Sequence, residues 1–301
     1  SPTRNSPTRN SPTRNSPTRD APTRSSPTTA PAHILITGAA GAIGGALARA
    51  MRAAWPTARL ALLDREQAPL RALADELGTA NEYLADLREL DALPALVAKI
   101  EEQGPLDGLV NCAGVMRVQQ LPSWKWDDAH ALLTIDLLAP LRLQDLIVRG
   151  MVERASTSPS TSPATSSSAA AFRGLLVNVA SMAGRVPLRG CAYYGAAKAG
   201  LAMASEIARA DLAQYGVRVV TVYPGPVRSA LEAGARADYG GGGLLGRFAP
   251  TGDPSELAGR IMHAIDHDEP RVIYPRLYGV GWSAPNLSSW IALSYGPPPV
   301  S

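Results

Sequence analysis

His33–Gly45, HILITGAAGAIGG, is a short apolar run that breaks into small residues and then continues as ALARAMRAA. Five residues, His33–Thr37, closed by Gly38, read as a buried strand, because they are too few for a helix and show no alternation. Glycines at 38, 41, 44 and 45 mark a tight turn, and a helix starts at about Ile43. The same rhythm continues outward along the chain. Leu60–Leu63 is a second strand ending at Asp64, and Glu66–Leu77 an amphipathic helix. Glu82–Ala85 is a third strand ending at Asp86, and Leu90–Gln103 a helix. Gly108–Val110 is a fourth strand running into NCAG, Asn111–Gly114. A long helix over Trp126–Val152, a fifth strand at Gly174–Val179 and a helix over Tyr193–Tyr215 come next. Val217–Tyr223 is a sixth strand ending at Pro224-Gly225, followed by a helix at Pro254–Ile265 and a seventh strand at Val272–Tyr274. Strands alternating with helices at this spacing predict βαβ units and a parallel sheet.

The remaining segments depart from this pattern. Residues 1–29 repeat SPTRN and its variants, with proline every fifth position and almost no apolar side chain. That composition supports neither helix nor core and predicts a disordered basic arm over 1–31. Ala155–Ala171 (ASTSPSTSPATSSSAAA) reads as a low-complexity surface insert within one domain spanning 32–278. Val227–Ala249, which contains GGGG at 240–243, reads as a mobile excursion. The final stretch, 279–301, reads as a tail that packs on the body, pairs with another subunit or rests on a lipid surface.

The net charge of +3 is misleading, since residues 1–32 hold five arginines against Asp20 and leave the body close to neutral. No nucleic-acid or membrane electrostatics are expected from it. Cys112 and Cys191 have neither metal-ligand nor disulfide-framework spacing, so no metal is expected and a reducing, cytoplasmic setting is. No apolar run reaches 18 residues, so no integral membrane segment is expected, and no signal peptide opens the chain.

Glycines between a strand and a helix let the backbone approach a pyrophosphate, and the helix N-terminus supplies N–H donors. Asp64 lies 20 residues beyond Gly44, where a carboxylate can bond a ribose 2′-hydroxyl and repel a 2′-phosphate. NAD is therefore favoured over NADP, although Arg65 beside it offers a cation to a phosphate. The fold class is accordingly α/β: a doubly wound Rossmann-type parallel sheet of about seven strands with helices on both faces.

Ser181, Tyr194 and Lys198 sit thirteen and then four residues apart. Positions i and i+4 share a helix face, so the phenol and ammonium of Tyr194 and Lys198 can meet. A nearby ammonium favours the phenolate and brings a tyrosine closer to acid–base work at neutrality. Alone, a Tyr-x-x-x-Lys pair is equally compatible with an ordinary helix surface.

Taken together, the motifs resemble those of the short-chain dehydrogenase/reductase family, over about Ala32 to Tyr278. Its Thr-Gly-x-x-x-Gly-x-Gly motif is met at Thr37, Gly38 and Gly44, with Ala42 where the middle glycine falls and Ile43 beside it. Asp86-Leu87 matches the adenine contact, and Asn111, Ala113 and Gly114 match Asn-x-Ala-Gly. Pro224-Gly225, Val227 and Ser229 match Pro-Gly-x-Val-x-Thr, with serine for threonine near the nicotinamide carboxamide. The resemblance implies that Tyr194 is the general acid/base for an alcohol–carbonyl interconversion by hydride transfer. Ser181 would orient the substrate oxygen, and Lys198 would hold the nicotinamide ribose and lower the Tyr194 pKa. The family asparagine before the fifth strand falls on Asp136, whose charge is expected to oppose Lys198. The resemblance implies a small alcohol or carbonyl substrate contacted by Met182–Ala192 and Ala230–Phe248, where Val186, Leu188, Leu231, Leu244 and Leu245 suggest an apolar pocket. A homodimer or homotetramer through 126–152 and 193–215 is implied as well. The alternative is a catalytically silent dinucleotide sensor on the same fold, and no nucleic-acid partner is expected.

Overall fold

In the computed structural model, described over residues 30–78, 81–157, 172–239, 250–296 and 299, seven strands form one sheet. They are β1 (His33–Thr37), β2 (Arg59–Asp64), β3 (Asn81–Leu84), β4 (Gly108–Asn111), β5 (Gly174–Val179), β6 (Val217–Pro224) and β7 (Arg271–Tyr274). Their order is β3-β2-β1-β4-β5-β6-β7, and every neighbouring pair is parallel. The chain winds outward from β1 to β3, crosses to β4 and winds outward again. The crevice outside the strand ends therefore opens between β1 and β4.

Alternation along the strands divides the core into two layers. Ile34, Ile36, Leu60, Leu62, Val177 and Val220 face α1 (Ala42–Ala54), α2 (Gln67–Leu77) and a helix at Pro254–Asp266, through Leu47, Met51, Leu70 and Ile261. Leu35, Leu63, Leu109, Leu176 and Val219 face α3 (Leu93–Glu101) and the two long helices, through Val97, Leu143, Ile147 and Leu212. Both faces are covered, which is why these strands read as continuous apolar runs.

Two sequence expectations are corrected. The helix expected over 126–152 is α4 (Trp126–Leu133), a π-helical turn at Thr134–Leu138, and α5 (Ala139–Thr157). Pro140 accounts for the interruption: it has no N–H to donate, and its ring crowds the carbonyl four residues back, on Asp136. The expected excursion at 227–249 contains α7 (Ala230–Asp238), which follows α6 (Ala192–Leu212). Ser229 caps α7 by accepting from Glu232 N at 3.0 Å, and Glu232 pairs with Arg236 one turn on. The tail contains two helices, Gly279–Ser283 and Pro285–Tyr295, the second with proline at its first turn. The SPTRN arm over 1–29, most of the 155–171 insert, the GGGG run and Leu244 and Leu245 lie outside the described residues.

Candidate active site

The glycine turn is fixed by contacts that exclude side chains. Gly38 has φ +65°, and a Cβ there would lie 2.6 Å from Ala113 Cα; a Cβ on Gly44 would lie 2.2 Å from Gly38 O. Ala42 opens α1, with Gly41 as its N-cap in extended backbone. Thr37 joins the two halves of the sheet: its hydroxyl donates to Val110 O at 3.3 Å and accepts from Cys112 N and Ala113 N at 3.1 and 3.2 Å.

Asp64 stands at the end of β2. Its Oδ2 accepts from Ala40 N at 2.9 Å and its Oδ1 from Arg65 N at 2.8 Å and Glu66 N at 3.2 Å. The carboxylate thus holds the glycine turn to the end of β2. Arg65 pairs with Glu66 at 3.2 Å. A cavity of about 480 Å³ beyond β2 is lined by Arg65, Glu66, Leu84, Ala85 and Asp86. Hydrogen bonds from Arg88 hold the Asp86 carboxyl below its usual range. Leu87 is buried in the apolar layer under α3 and does not line that cavity. A larger cavity of about 570 Å³, between the C-terminal ends of α2 and α3, contains none of the expected site residues.

Asn111 turns inward. Its Nδ2 donates to Asn178 Oδ1 at 2.9 Å, tying β4 to β5, a partner that no sequence spacing signals. Gly114 closes the floor, since a Cβ there would meet Asp136 Oδ1 at 2.7 Å and Lys198 Nζ at 3.2 Å. Gly225 follows Pro224, donates to Tyr274 O at 2.7 Å and has the Tyr278 ring where its Cβ would be. Val227 is buried and bridges to Gly252. The Ser229 hydroxyl is engaged as the α7 cap.

Ser181 follows β5 in extended backbone and accepts from Ala183 N at 3.1 Å. Tyr194 and Lys198 lie one turn apart near the start of α6, with Nζ 5.9 Å from the Tyr194 ring centroid. The four side chains expected at the reaction centre are all withdrawn from solvent: Ser181 is 7%, Tyr194 8%, Lys198 4% and Asp136 0% exposed. Lys198 Nζ donates to Val179 O at 3.3 Å and lies 3.3 Å from Asp136 Oδ1, which also accepts from Val115 N at 3.0 Å. Val179 O and Val115 N are backbone groups, invisible to a search for reactive side-chain types. Asp136 Oδ2 is buried with no hydrogen-bond partner among the described residues. The ammonium 3.3 Å from Oδ1 and the Val115 N–H favour the charged carboxylate, and burial opposes it.

Burial pushes Asp136 up, against the pull of Lys198 and the Val115 N–H. Burial pushes Lys198 down, but Asp136 and Tyr194 outweigh it and hold the ammonium above its ordinary value. Tyr194 ends above its ordinary value: burial raises it most and Asp136 adds to this, while Lys198 and a Ser181 hydrogen bond pull it down. Lys198 therefore acts in the expected direction without prevailing. A phenol and a hydroxyl can share one substrate oxygen and exchange a proton with it, while the neighbouring ammonium acts on the phenol through its charge.

The family model described as short chain dehydrogenase matches residues 32–240. D-threitol dehydrogenase of Mycolicibacterium smegmatis is 31% identical over 233 residues, which cover 74% of this chain and 82% of that protein. The ketoacyl reductase HetN of Nostoc sp. is 28% identical over 246 residues, covering 80% and 77%. Among solved structures, a short-chain dehydrogenase from Sphingobium yanoikuyae in complex with NADPH superposes with TM-score 0.68 at 24% identity, over 87% of this chain and 95% of that one. By motif order, sheet topology and a family match over most of its length, the chain belongs to the short-chain dehydrogenase/reductase family of NAD(P)-dependent oxidoreductases.

Proposed function

We propose that the protein interconverts a small alcohol with its ketone or aldehyde, using NAD in preference to NADP, with Tyr194 as general acid/base. The observation that carries this reading is the burial of Ser181, Tyr194 and Lys198 together at the strand ends beside the glycine turn. The turn itself fits a dinucleotide, since Gly38 and Gly44 let the chain close tightly on Ala113 and on itself, forming a backbone cradle ahead of the α1 N-terminus. When bound, the nicotinamide supplies the hydride acceptor or donor and, when oxidised, a positive charge near Tyr194.

Tyr194 Oη takes the hydroxyl proton in the oxidising direction and returns it to the carbonyl oxygen in the reducing one. The Ser181 hydroxyl donates to the same oxygen and orients it. Lys198 has three N–H donors; two are directed at Val179 O and Asp136 Oδ1, leaving one for a ribose hydroxyl. Its charge also opposes the cost of making a buried phenolate. Asp136 positions that ammonium and counters part of its effect. The NAD preference rests on Asp64, whose carboxylate disfavours a 2′-phosphate. Leu138, exposed on the π-helical turn before α5, and Met203 and Ile207, exposed on α6, support association of copies through these helices.

Tyr194→Phe tests the assignment. On a panel of alcohols and ketones, turnover should fall by roughly 10²–10⁴-fold, while nucleotide affinity by fluorescence titration stays within about threefold. Undiminished turnover would exclude Tyr194 as the acid/base. Nucleotide binding without turnover in the parent protein would instead favour the sensor reading, for which the phenol-raising charge of Asp136 is the supporting observation.

A further inference from the structure

The helix at Pro285–Tyr295 is built the reverse way from a surface helix of a globular protein. Its large apolar side chains are the exposed ones: Leu287 and Trp290 are each 57% exposed, and Ile291, Leu293 and Tyr295 are exposed with them. The positions turned toward the body are small, Ser288, Ser289 and Ala292, and none of its residues is fully buried. Leu277, just before the two C-terminal helices, and Leu188, in the loop after Ser181, are exposed as well. The short helix Gly279–Ser283 lies between that loop and this helix: a Cβ on Gly281 would lie 3.6 Å from Met182 Cε and Ser288 Oγ and 3.8 Å from Val186 Cγ2.

The charges of the two segments that meet here are all of one sign. Residues 181–205 and 270–301 contain no aspartate or glutamate, and they supply Arg185, Arg189, Arg271 and Arg276. Arg185 and Arg271 stand over the Trp282 ring at 4.9 and 5.6 Å, fixing cations beside the helix. Glu206, which borders the first segment, and Arg271 neutralise each other at 2.6 Å, so the cations left for a partner are Arg185, Arg189 and Arg276. An exposed apolar face of this size requires a covering. A second copy docked two-fold on this face would bring Arg185, Arg189 and Arg276 toward their own counterparts. An anionic lipid surface matches both properties, taking apolar side chains and Trp and Tyr rings at headgroup depth and neutralising the cations. Among the described residues no helix is long and apolar enough to cross a membrane.

We propose that the C-terminal helix, with Leu277 and Leu188, seats the protein on an anionic lipid surface as a peripheral anchor, with Arg185, Arg189 and Arg276 facing the headgroups. Co-sedimentation of the full chain with vesicles tests this without any assay of turnover. The protein should bind phosphatidylcholine/phosphatidylglycerol vesicles at least about tenfold more tightly than phosphatidylcholine alone, and 0.5 M salt should weaken the binding. The triple variant Leu287→Ser/Trp290→Ser/Ile291→Ser should abolish binding, and Arg276→Gln should weaken it about fivefold. All four substitutions are at exposed positions, and unchanged thermal unfolding would confirm an intact fold. Leu84→Ser, exposed on the opposite sheet edge, should leave binding unchanged. Failure to bind either vesicle would overturn the proposal, as would binding that survives the triple variant. So would a triple variant that sediments as a smaller species while the parent ignores vesicles, which would assign the face to contact between copies.

Discussion

Replacing Asp136 by asparagine keeps an oxygen for Val115 N–H and Lys198 and removes one buried charge. Asp136 Oδ1 is 3.3 Å from Lys198 Nζ, which is 5.9 Å from the Tyr194 ring centroid. Laid end to end, these distances put the carboxylate no farther than about 9 Å from the phenol ring. At an effective dielectric of ~20, a unit charge at ~9 Å acts on a phenolate with about 2 kcal/mol. Tyr194 and Asp136 are both withdrawn from solvent, so little of this is lost to screening. At 1.36 kcal/mol per decade, about 2 kcal/mol changes the phenolate population roughly twentyfold at a fixed pH below its titration. The sign follows from the charge removed: Asp136 raises Tyr194, so its loss favours the phenolate. In the oxidising direction, the kcat–pH profile of Asp136→Asn should therefore rise at lower pH than the parent's. The assay is initial rate against pH at saturating nucleotide and alcohol, with thermal unfolding as a check on the fold. Coincident profiles would refute the coupling. A profile displaced to higher pH would refute it in a different way, since it would mean that Asp136 mainly keeps Lys198 charged and that the ammonium is lost with its partner.

Gly44→Ala should lower nucleotide affinity by more than tenfold in a fluorescence titration, because the new Cβ would lie 2.2 Å from Gly38 O and force the turn open; unchanged affinity would refute the cradle. Asp64→Ala removes both the repulsion of a 2′-phosphate and the acceptor for Ala40 N. The NAD/NADP ratio of kcat/KM should move at least about tenfold toward NADP, consistent with roughly 1.4 kcal/mol per decade, and an unmoved ratio would remove Asp64 as the selector. Burial pushes the Cys112 thiol up to about 12 and the Cys191 thiol up as well. Both should stay protonated at pH 8 and resist iodoacetamide in the native protein; mass spectrometry showing either one alkylated without denaturant would contradict that.

The sheet was legible because its information is local. HILIT, VRVVTVY and the acids at strand ends are apolar runs with abrupt polar stops, and buried parallel strands are written that way. The Tyr194–Lys198 pair was legible for the same reason, being one helical turn. The π-helical turn at Thr134–Leu138 was also within reach of the sequence, since Pro140 lies inside the helical pattern, but the apolar periodicity around it masked the break. Helix α7 was hidden by the glycines that follow it and by its low apolar content, and the sequence alone does not show that the Ser229 hydroxyl caps it. The roles of Asn178 and of Val179 O depend on which strands become neighbours, which is long-range information. The near-neutral average charge of the body concealed the segregation of arginines around Trp282, because a sum over residues says nothing about where they gather.

The Thr37 hydroxyl has a consequence for how this chain can be divided. It donates to Val110 O and accepts from two amides of the Asn111–Gly114 segment, across the boundary where the winding direction reverses. The glycine turn is therefore shaped partly by a strand that arrives some seventy residues later. A fragment ending after α3 would contain the whole glycine motif and Asp64, yet lack β4 beside β1 and the floor that Ala113 provides for Gly38. Dinucleotide affinity in this protein is not a detachable cassette: it cannot be inherited, grafted or expressed in half, and cofactor capture and catalytic assembly stand or fall as one folding unit.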